Sequence, residues 1–410
     1  MIKRARTYAK DPLYKNSFYI MLTSVTGAGF GFIFWVLAAK LYPHAGDVGI
    51  ATALISATSF LILLTRFGLD ASIIRFFPVS DKSSIFNTAL LITTTTCVLL
   101  GAAFILGIDV FSPNLSLLKE PANAGLFLLF LAASSILSII NVAFIALRRA
   151  EYQLLQSMIF SSRILLLVPL IFLGALGIFS SIGIASIISI FALLYYLLRQ
   201  DIRLGISLDG GFLKKTFGFS AGNYLSGLLS GAPAQILPLL VLNVLGPADT
   251  AYYYIAYSIA SLLYTIPYAV STSLFVEGSH GEALKKTVIK ALKSTLVILI
   301  PAILLLYYAA GFLLGLIGKN YSASGLELLK TMTIASIPLT VNSIYMTINR
   351  IQKDTKELVY ISALIFVLLP ATGYFFMLRY GLTGIGYAWI ISHTIVAAIV
   401  ILRVKRNKWI

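Results

Sequence analysis

Charge is what this chain of 410 residues has least of. Charged residues make up 11% of it and acidic residues number only 15, where a soluble domain carries about 25% charged residues. Hydrophobic residues make up 59%. A folded soluble protein has no means of hiding so much apolar surface, so lipid must solvate part of it. The single cysteine, Cys97, stands inside an apolar run, which excludes an intrachain disulfide and speaks against a thiolate metal site. There is no GxxxxGK[ST] phosphate loop, no HExxH and no Cys/His cluster. No acidic residue lies deep in an apolar run; Asp70 stands at the end of one. No connection is long enough to hold a catalytic domain. These absences point away from an enzyme, and no cofactor or metal is expected.

What is there is a series of apolar runs, near 18–40, 48–69, 84–107, 123–147, 154–176, 181–198, 218–245, 250–275, 288–316, 326–349, 357–378 and 382–402. Each approaches or exceeds the roughly 20 residues that a helix needs to span a bilayer. The expected fold is therefore all-α and integral to the membrane, with twelve transmembrane helices. The first run follows a basic tail and is too long for the core of a signal peptide, about 7–15 residues. It reads as a retained first helix.

The net charge of +16 would suggest nucleic acid in a soluble protein. Here the basic residues sit between apolar runs, and topology accounts for them. An even number of spans puts both termini on one side. On that side fall 26 of the 31 lysines and arginines, and the remaining five (Lys40, Lys119, Lys319, Lys330 and Arg379) fall on the other. By the positive-inside rule both termini are cytoplasmic, and no nucleic-acid partner is expected.

The chain also repeats. Thr26–Pro43 (TGAGFGFIFWVLAAKLYP) aligns without a gap on Ser230–Pro247 (SGAPAQILPLLVLNVLGP) at a spacing of 204. Asn141–Arg149 aligns on Asn342–Arg350 at 201, and Gly183 aligns on Gly384 at the same spacing. Each repeat holds six helices, so the second enters the membrane in the orientation of the first. Parallel repeats of this kind are a transporter plan. The stretch near 199–217, with Asp209-Gly210-Gly211, reads as the linker, and the expected domains are residues 1–205 and 206–410. Gly27, Gly29 and Gly31 in the first helix, and Gly231, Pro233 and Pro238 in the seventh, are the expected bending segments.

Several stretches carry a resemblance to a known family. They are Lys15-Asn16, LAAKLYPHAGDVGIATAL after the first helix, RFGLDASIIRFF closing the second, LRRAEYQ after the fourth and LTGIGYAWIIS opening the twelfth. With the span count, they resemble the polysaccharide-transporter branch, the O-antigen-type flippases, of the multidrug/oligosaccharidyl-lipid/polysaccharide (MOP) exporter superfamily. The resemblance implies two six-helix lobes, alternating access and a polyprenyl-pyrophosphate-linked oligosaccharide as cargo. It also implies glycan-assembly enzymes as partners and the cytoplasmic membrane as location. Ion-coupled multidrug antiporters of the same superfamily are the alternative, but they commonly use a buried carboxylate, and this chain offers none.

Charges at membrane depth are costly and usually line a cavity. Arg163, some ten residues into the fifth run, is the foremost candidate, because a guanidinium fork fits phosphate oxygens. It is expected to face a polar space between the lobes. Arg66 and Lys330, nearer helix ends, are further candidate cations that also fit snorkelling. His393 offers a proton relay or a sugar contact, and Gln235 a bond to sugar hydroxyls or between helices. Tyr257 and Tyr264, seven apart on one face, are placed to stack on sugar rings. Asn141 and Asn342, matched between repeats, suggest structural roles.

The topology is open to cysteine labelling in a Cys97→Ala background. Reagent applied from outside is expected to reach cysteines placed near Pro43, Lys119 and Lys319 and to miss those at 78–82, 282 and 353–356. Outside labelling at residue 282 would sink the twelve-span reading.

Overall fold

The computed structural model describes residues 12–279 and 284–406. The basic N-terminal tail, the connection at 280–283 and residues 407–410, all given a cytoplasmic place above, lie outside the described residues. Among the described residues there is no strand. The principal helices are α1 (Pro12–Leu41), α2 (Ala45–Thr65), α3 (Lys82–Leu106), α4 (Pro121–Ala146), α5 (Ala150–Phe160) and α6 (Ala175–Leu198). They continue with α7 (Gly210–Leu245), α8 (Pro247–Ser279), α9 (Leu284–Ile317), α10 (Lys319–Ile351), α11 (Thr355–Tyr380) and α12 (Thr383–Arg406). Ten of these contain a stretch long and apolar enough to cross a membrane. The other two, α5 and α10, differ from expectation for separate reasons.

The fifth apolar run is not one helix. After α5 ends at Phe160, a short helix covers Arg163–Leu166 and a 3-10 turn covers Ile171–Leu173. Where α5 gives way to the short helix the backbone closes i to i+3 bonds, from Ile164 N–H to the Ser161 carbonyl (3.1 Å) and from Leu165 N–H to the Ser162 carbonyl (2.9 Å). Three residues bring this about. The Ser161 hydroxyl donates to the Ser157 carbonyl (2.7 Å), a back-bond that bends helices. Pro169 offers no N–H and crowds the carbonyl of residue 165. Gly174 takes φ +55°, a conformation that L side chains rarely adopt. The loosened backbone gains a side-chain donor, since the Tyr42 hydroxyl donates to the Leu167 carbonyl (3.2 Å). At membrane depth such backbone survives only where protein buries it or where it lines a cavity.

The expected bends, by contrast, are absent as breaks. α1 runs unbroken through its three glycines and α7 through Pro233 and Pro238. Gly27 and Gly31 instead stand beside Ser157 and the Arg163 guanidinium. Four apart on one face, they let α1 lie close to α5.

α10 is long but polar, with Glu327, Lys330, Asn342 and Asn349 along it. It packs against α8, α9 and α12. Its buried hydroxyls and amides bond to its own turns: Thr333 to the Leu329 carbonyl (2.8 Å), Thr340 to that of Ser336 (2.8 Å) and Asn349 to that of Tyr345 (2.9 Å). A helix clad in other helices need not be apolar all round.

The chain forms two compact units. The first takes in α1, most of α2 and the chain up to Tyr224. Its core gathers Ile73 and Phe77, Phe86 of α3, Phe144 of α4, Leu193 and Leu197 of α6, and Phe212 of α7. The linker is strapped onto α3 of this unit. Asn87 Nδ2 donates to the Arg203 carbonyl (2.8 Å), Thr88 Oγ1 donates to the Ser207 carbonyl (3.1 Å), and the Asp209 N–H donates to Thr88 Oγ1 (2.9 Å).

The second unit comprises His44–Ala53 and the chain from Leu225 onward. Tyr345, Ile361, Ile365, Val396 and Val400 pack where α10, α11 and α12 meet. The same three helices are tied at their ends, where Arg403 pairs with Glu357 and the Tyr345 hydroxyl donates to Glu357 Oε1 (2.9 Å).

The repeat-matched glycines have a common physical reason. A Cβ at Gly183 would run into the Phe130 ring of α4, and one at Gly384 into the Phe376 carbonyl of α11. A backbone carbonyl cannot swing aside as a side chain can. Gly384→Val is expected to destabilise the protein by roughly 1–3 kcal/mol, the usual cost of overpacking, and to lower its melting midpoint in detergent. A variant that melts with the parent would show that α12 has room there.

Candidate functional site

Each unit holds a cavity of its own, and the candidate residues divide between them. The first, of about 530 Å³, lies among α2, α4, α6 and the broken fifth segment, and both Arg66 and Arg163 line it. The second, of about 670 Å³, lies among α7, α8, α10, α11 and α12, and Tyr257, Tyr264 and His393 line it. Gln235 and Lys330 line neither. Gln235 is half-buried on α7. Lys330 is held by Glu327 (3.0 Å) and lies 5.4 Å from the centre of the Tyr307 ring, a pairing along one helix and its neighbour.

In the first cavity the break in the fifth segment does the positioning. It places Arg163 at the first residue of the short helix, with its guanidinium 4.4 Å from the centre of the Phe160 ring and 4.9 Å from that of Phe34. Ring faces attract a guanidinium, more strongly where water is excluded. They offset part of the cost of a charge at depth without neutralising it. Every residue lining this cavity belongs to the first unit.

Arg66 follows the last turn of α2. It donates to Ser138 Oγ (3.3 Å) and pairs loosely with Asp70 (3.7 Å). Serine and threonine hydroxyls of α2, α4 and α6 (Thr58, Ser59, Ser134, Ser138, Ser186) complete the polar wall, and no carboxylate lines it. Two guanidinium groups and several hydroxyls supply donors of the kind that an anion with several oxygen acceptors would use.

The second cavity is walled by aromatic rings. Tyr264 stacks on Trp389 (centroids 5.5 Å apart, planes at 19°), and Trp389 stacks on His393 (5.3 Å, 29°). Tyr257 leans on the same tryptophan at 5.7 Å. The Tyr264 hydroxyl is already committed to the Met332 carbonyl (2.9 Å). Tyr257 and Tyr264 therefore share one face, as their spacing indicates, but that face is already partly filled by Trp389.

Trp389 lay beyond the reading of single residues, since nothing in LTGIGYAWIIS marks it as the centre of a stack. Asn141 and Asn342 carried a better signal. Each lines the cavity of its own unit, so the repeat match that suggested structure also marked the two sites.

Comparison with known proteins identifies the family and the fold. The profile of a family described as polysaccharide biosynthesis protein matches residues 13–275, more than half of the chain. The chain belongs to that family. No curated protein sequence matches it. Solved structures similar to it include lipid II flippase MurJ in an inward closed conformation, with a TM-score of 0.76 and 17% identity over 94% of this chain and 87% of that one. An inward-facing multidrug resistance MATE transporter of the MOP superfamily gives 0.73 and 14%, over 95% and 98%. A MOP superfamily transporter from Pyrococcus furiosus, described as having a binding pocket of reverse polarity, gives 0.64 and 14%, over 98% and 96%. At such identities these likenesses show the fold alone, that of the two-lobe MOP transporters. The protein is thus a multi-pass, all-α membrane protein with the fold of these solved transporters.

The arginine cavity makes a direct prediction. Inorganic pyrophosphate is expected to raise the melting midpoint of the purified protein, the stabilisation reaching about 2.7 kcal/mol at a hundredfold excess over Kd. Arg66→Gln and Arg163→Gln should each shrink the shift. A shift that survives the double substitution would place the anion elsewhere.

Proposed function

We propose that the protein is a flippase that carries a polyprenyl-(pyro)phosphate-linked oligosaccharide across the cytoplasmic membrane by alternating access, in the synthesis of a surface polysaccharide or glycan. It does so as two six-helix lobes, residues 1–205 and 206–410, with both termini cytoplasmic. The observation that carries this reading is the pair Arg66 and Arg163 on one cavity whose lining holds no carboxylate.

Moving a phosphate group through a region of low dielectric is costly, and a cation held ready at that depth offsets the cost. The rings of Phe34 and Phe160 hold the Arg163 guanidinium in place before the anion arrives. The prenyl tail can remain in the bilayer, so the protein need shelter only the polar head. A drug-sized cation would meet repulsion from the two arginines and no acidic partner in either cavity lining. Tyr257, Tyr264 and His393 line the other cavity as sugar-facing groups, whereas Lys330, bound to Glu327, and Gln235, outside both cavities, stand apart from the site. Enzymes that assemble the glycan would supply the cargo.

Purified protein in vesicles is expected to move a fluorescent lipid-pyrophosphate sugar between leaflets. Arg163→Ala should abolish that movement while leaving membrane insertion intact. Arg163→Lys should restore it only in part, because an ammonium lacks the planar fork. Vesicles that leave the glycolipid in place but expel cationic dyes against a sodium or proton gradient would establish the multidrug antiporter instead.

A further inference from the structure

The second cavity is lined by two residues that carry a donor and an acceptor without a partner among the described residues. Asn342 is 2% exposed and His393 is 5% exposed, and both line the cavity. Asn342 Nδ2 lies 3.0 Å from the His393 carbonyl and 3.3 Å from His393 Nδ1. The carbonyl can only accept, so the amide nitrogen, not the oxygen, must face it. The second amide hydrogen then points to Nδ1, which makes Nδ1 an acceptor and leaves the ring proton on Nε2.

Within this pair of side chains two groups remain without a partner among the described residues, the His393 Nε2–H and the Asn342 Oδ1. A buried polar group left unsatisfied is destabilising. Two such groups of opposite kind, one on α10 and one on α12, are complementary to a ligand that accepts from one and donates to the other.

The geometry points to this pair as a subsite for an uncharged sugar ring, read through one hydroxyl that accepts from His393 Nε2–H and a second, or the same one, that donates to Asn342 Oδ1. A hydroxyl has both capacities, whereas a phosphate oxygen has no proton to give Asn342 and an ammonium no lone pair for His393. The aromatic wall of Trp389, Tyr257 and Tyr264 suits the apolar face of a sugar ring. Arg350 lines the same cavity eight residues further along α10, roughly 12 Å away at 1.5 Å per residue, and is too distant to share that hydroxyl.

Neither orphan atom is exposed in this conformation, so the ring reaches them only when the wall shifts, as it must in any protein that alternates between two states. The inference rests on the flippase reading for the origin of the sugar, but its binding test does not depend on transport.

The test uses Trp389 as the reporter, in a Trp35→Phe, Trp409→Phe background with the other residues native. Maltotriose, mannotriose and chitotriose are added to the purified protein, with inorganic pyrophosphate in a parallel titration. At least one trisaccharide is expected to change the Trp389 emission and to raise the melting midpoint. His393→Phe keeps the stack on Trp389 but removes the donor, and should weaken the affinity roughly tenfold. His393→Gln keeps an N–H at a similar place and should recover most of it, which separates donation from packing. No response to any trisaccharide at millimolar concentration, or His393→Phe binding as well as the parent, would overturn the proposal. The arginine cavity and vesicle transport could survive that result unchanged, and a trisaccharide response in a protein that moves no lipid would refute the flippase alone.

Discussion

Hydrocarbon cannot solvate an ion or an unpaired peptide group, and the organisation of this protein follows from that constraint. With charged residues so scarce, each one within the membrane-spanning helices has to be placed. Lys330 is neutralised by Glu327. Arg403 is neutralised by Glu357 where α11 and α12 meet. Arg66 pairs loosely with Asp70 (3.7 Å) and shares a wall with Arg163. The two line a cavity, and Arg163 is met by aromatic rings that attract a cation without cancelling it.

The same constraint accounts for the break in the fifth segment. A chain that loses helical bonds in the membrane must turn the freed groups towards protein or cavity. The Ser161, Pro169 and Gly174 signals produce the break, the Tyr42 hydroxyl takes up the Leu167 carbonyl, and the cavity lies beside Arg163. A tight 3-10 stretch inside a helix often marks a hinge, and this one adjoins the group best suited to hold an anion. The same few residues thus set both the break and the position of Arg163.

The two cavities, although built on matched helices, differ in chemistry. Asn141 and Asn342 occupy equivalent places in the repeats and line equivalent walls. Around Asn141 stand two guanidinium groups and serine hydroxyls. Around Asn342 stand stacked rings and a histidine. Guanidinium groups and hydroxyls line one cavity, and stacked rings with neutral donors and acceptors line the other.

Much of this was legible in the sequence. The length and spacing of the apolar runs determined a multi-pass helical protein, because hydrocarbon thickness dictates helix length. The matches near 201 and 204 residues suggested a duplication, and at the pair Gly183 and Gly384 close helix contacts admit only glycine. Cationic and aromatic candidates were visible because polar groups are so few. The tertiary structure alone decided which of them share a wall. It joined Arg66 to Arg163, put Trp389 between Tyr264 and His393, and set Gln235 and Lys330 aside. Periodicity along one helix says which residues share a face, but not which face of another helix meets it. Hydropathy likewise passed over the interruption after Phe160, since the run 154–176 stays apolar while its hydrogen bonding changes. That choice belongs to a serine back-bond, a proline and a glycine acting together with the helices packed against them.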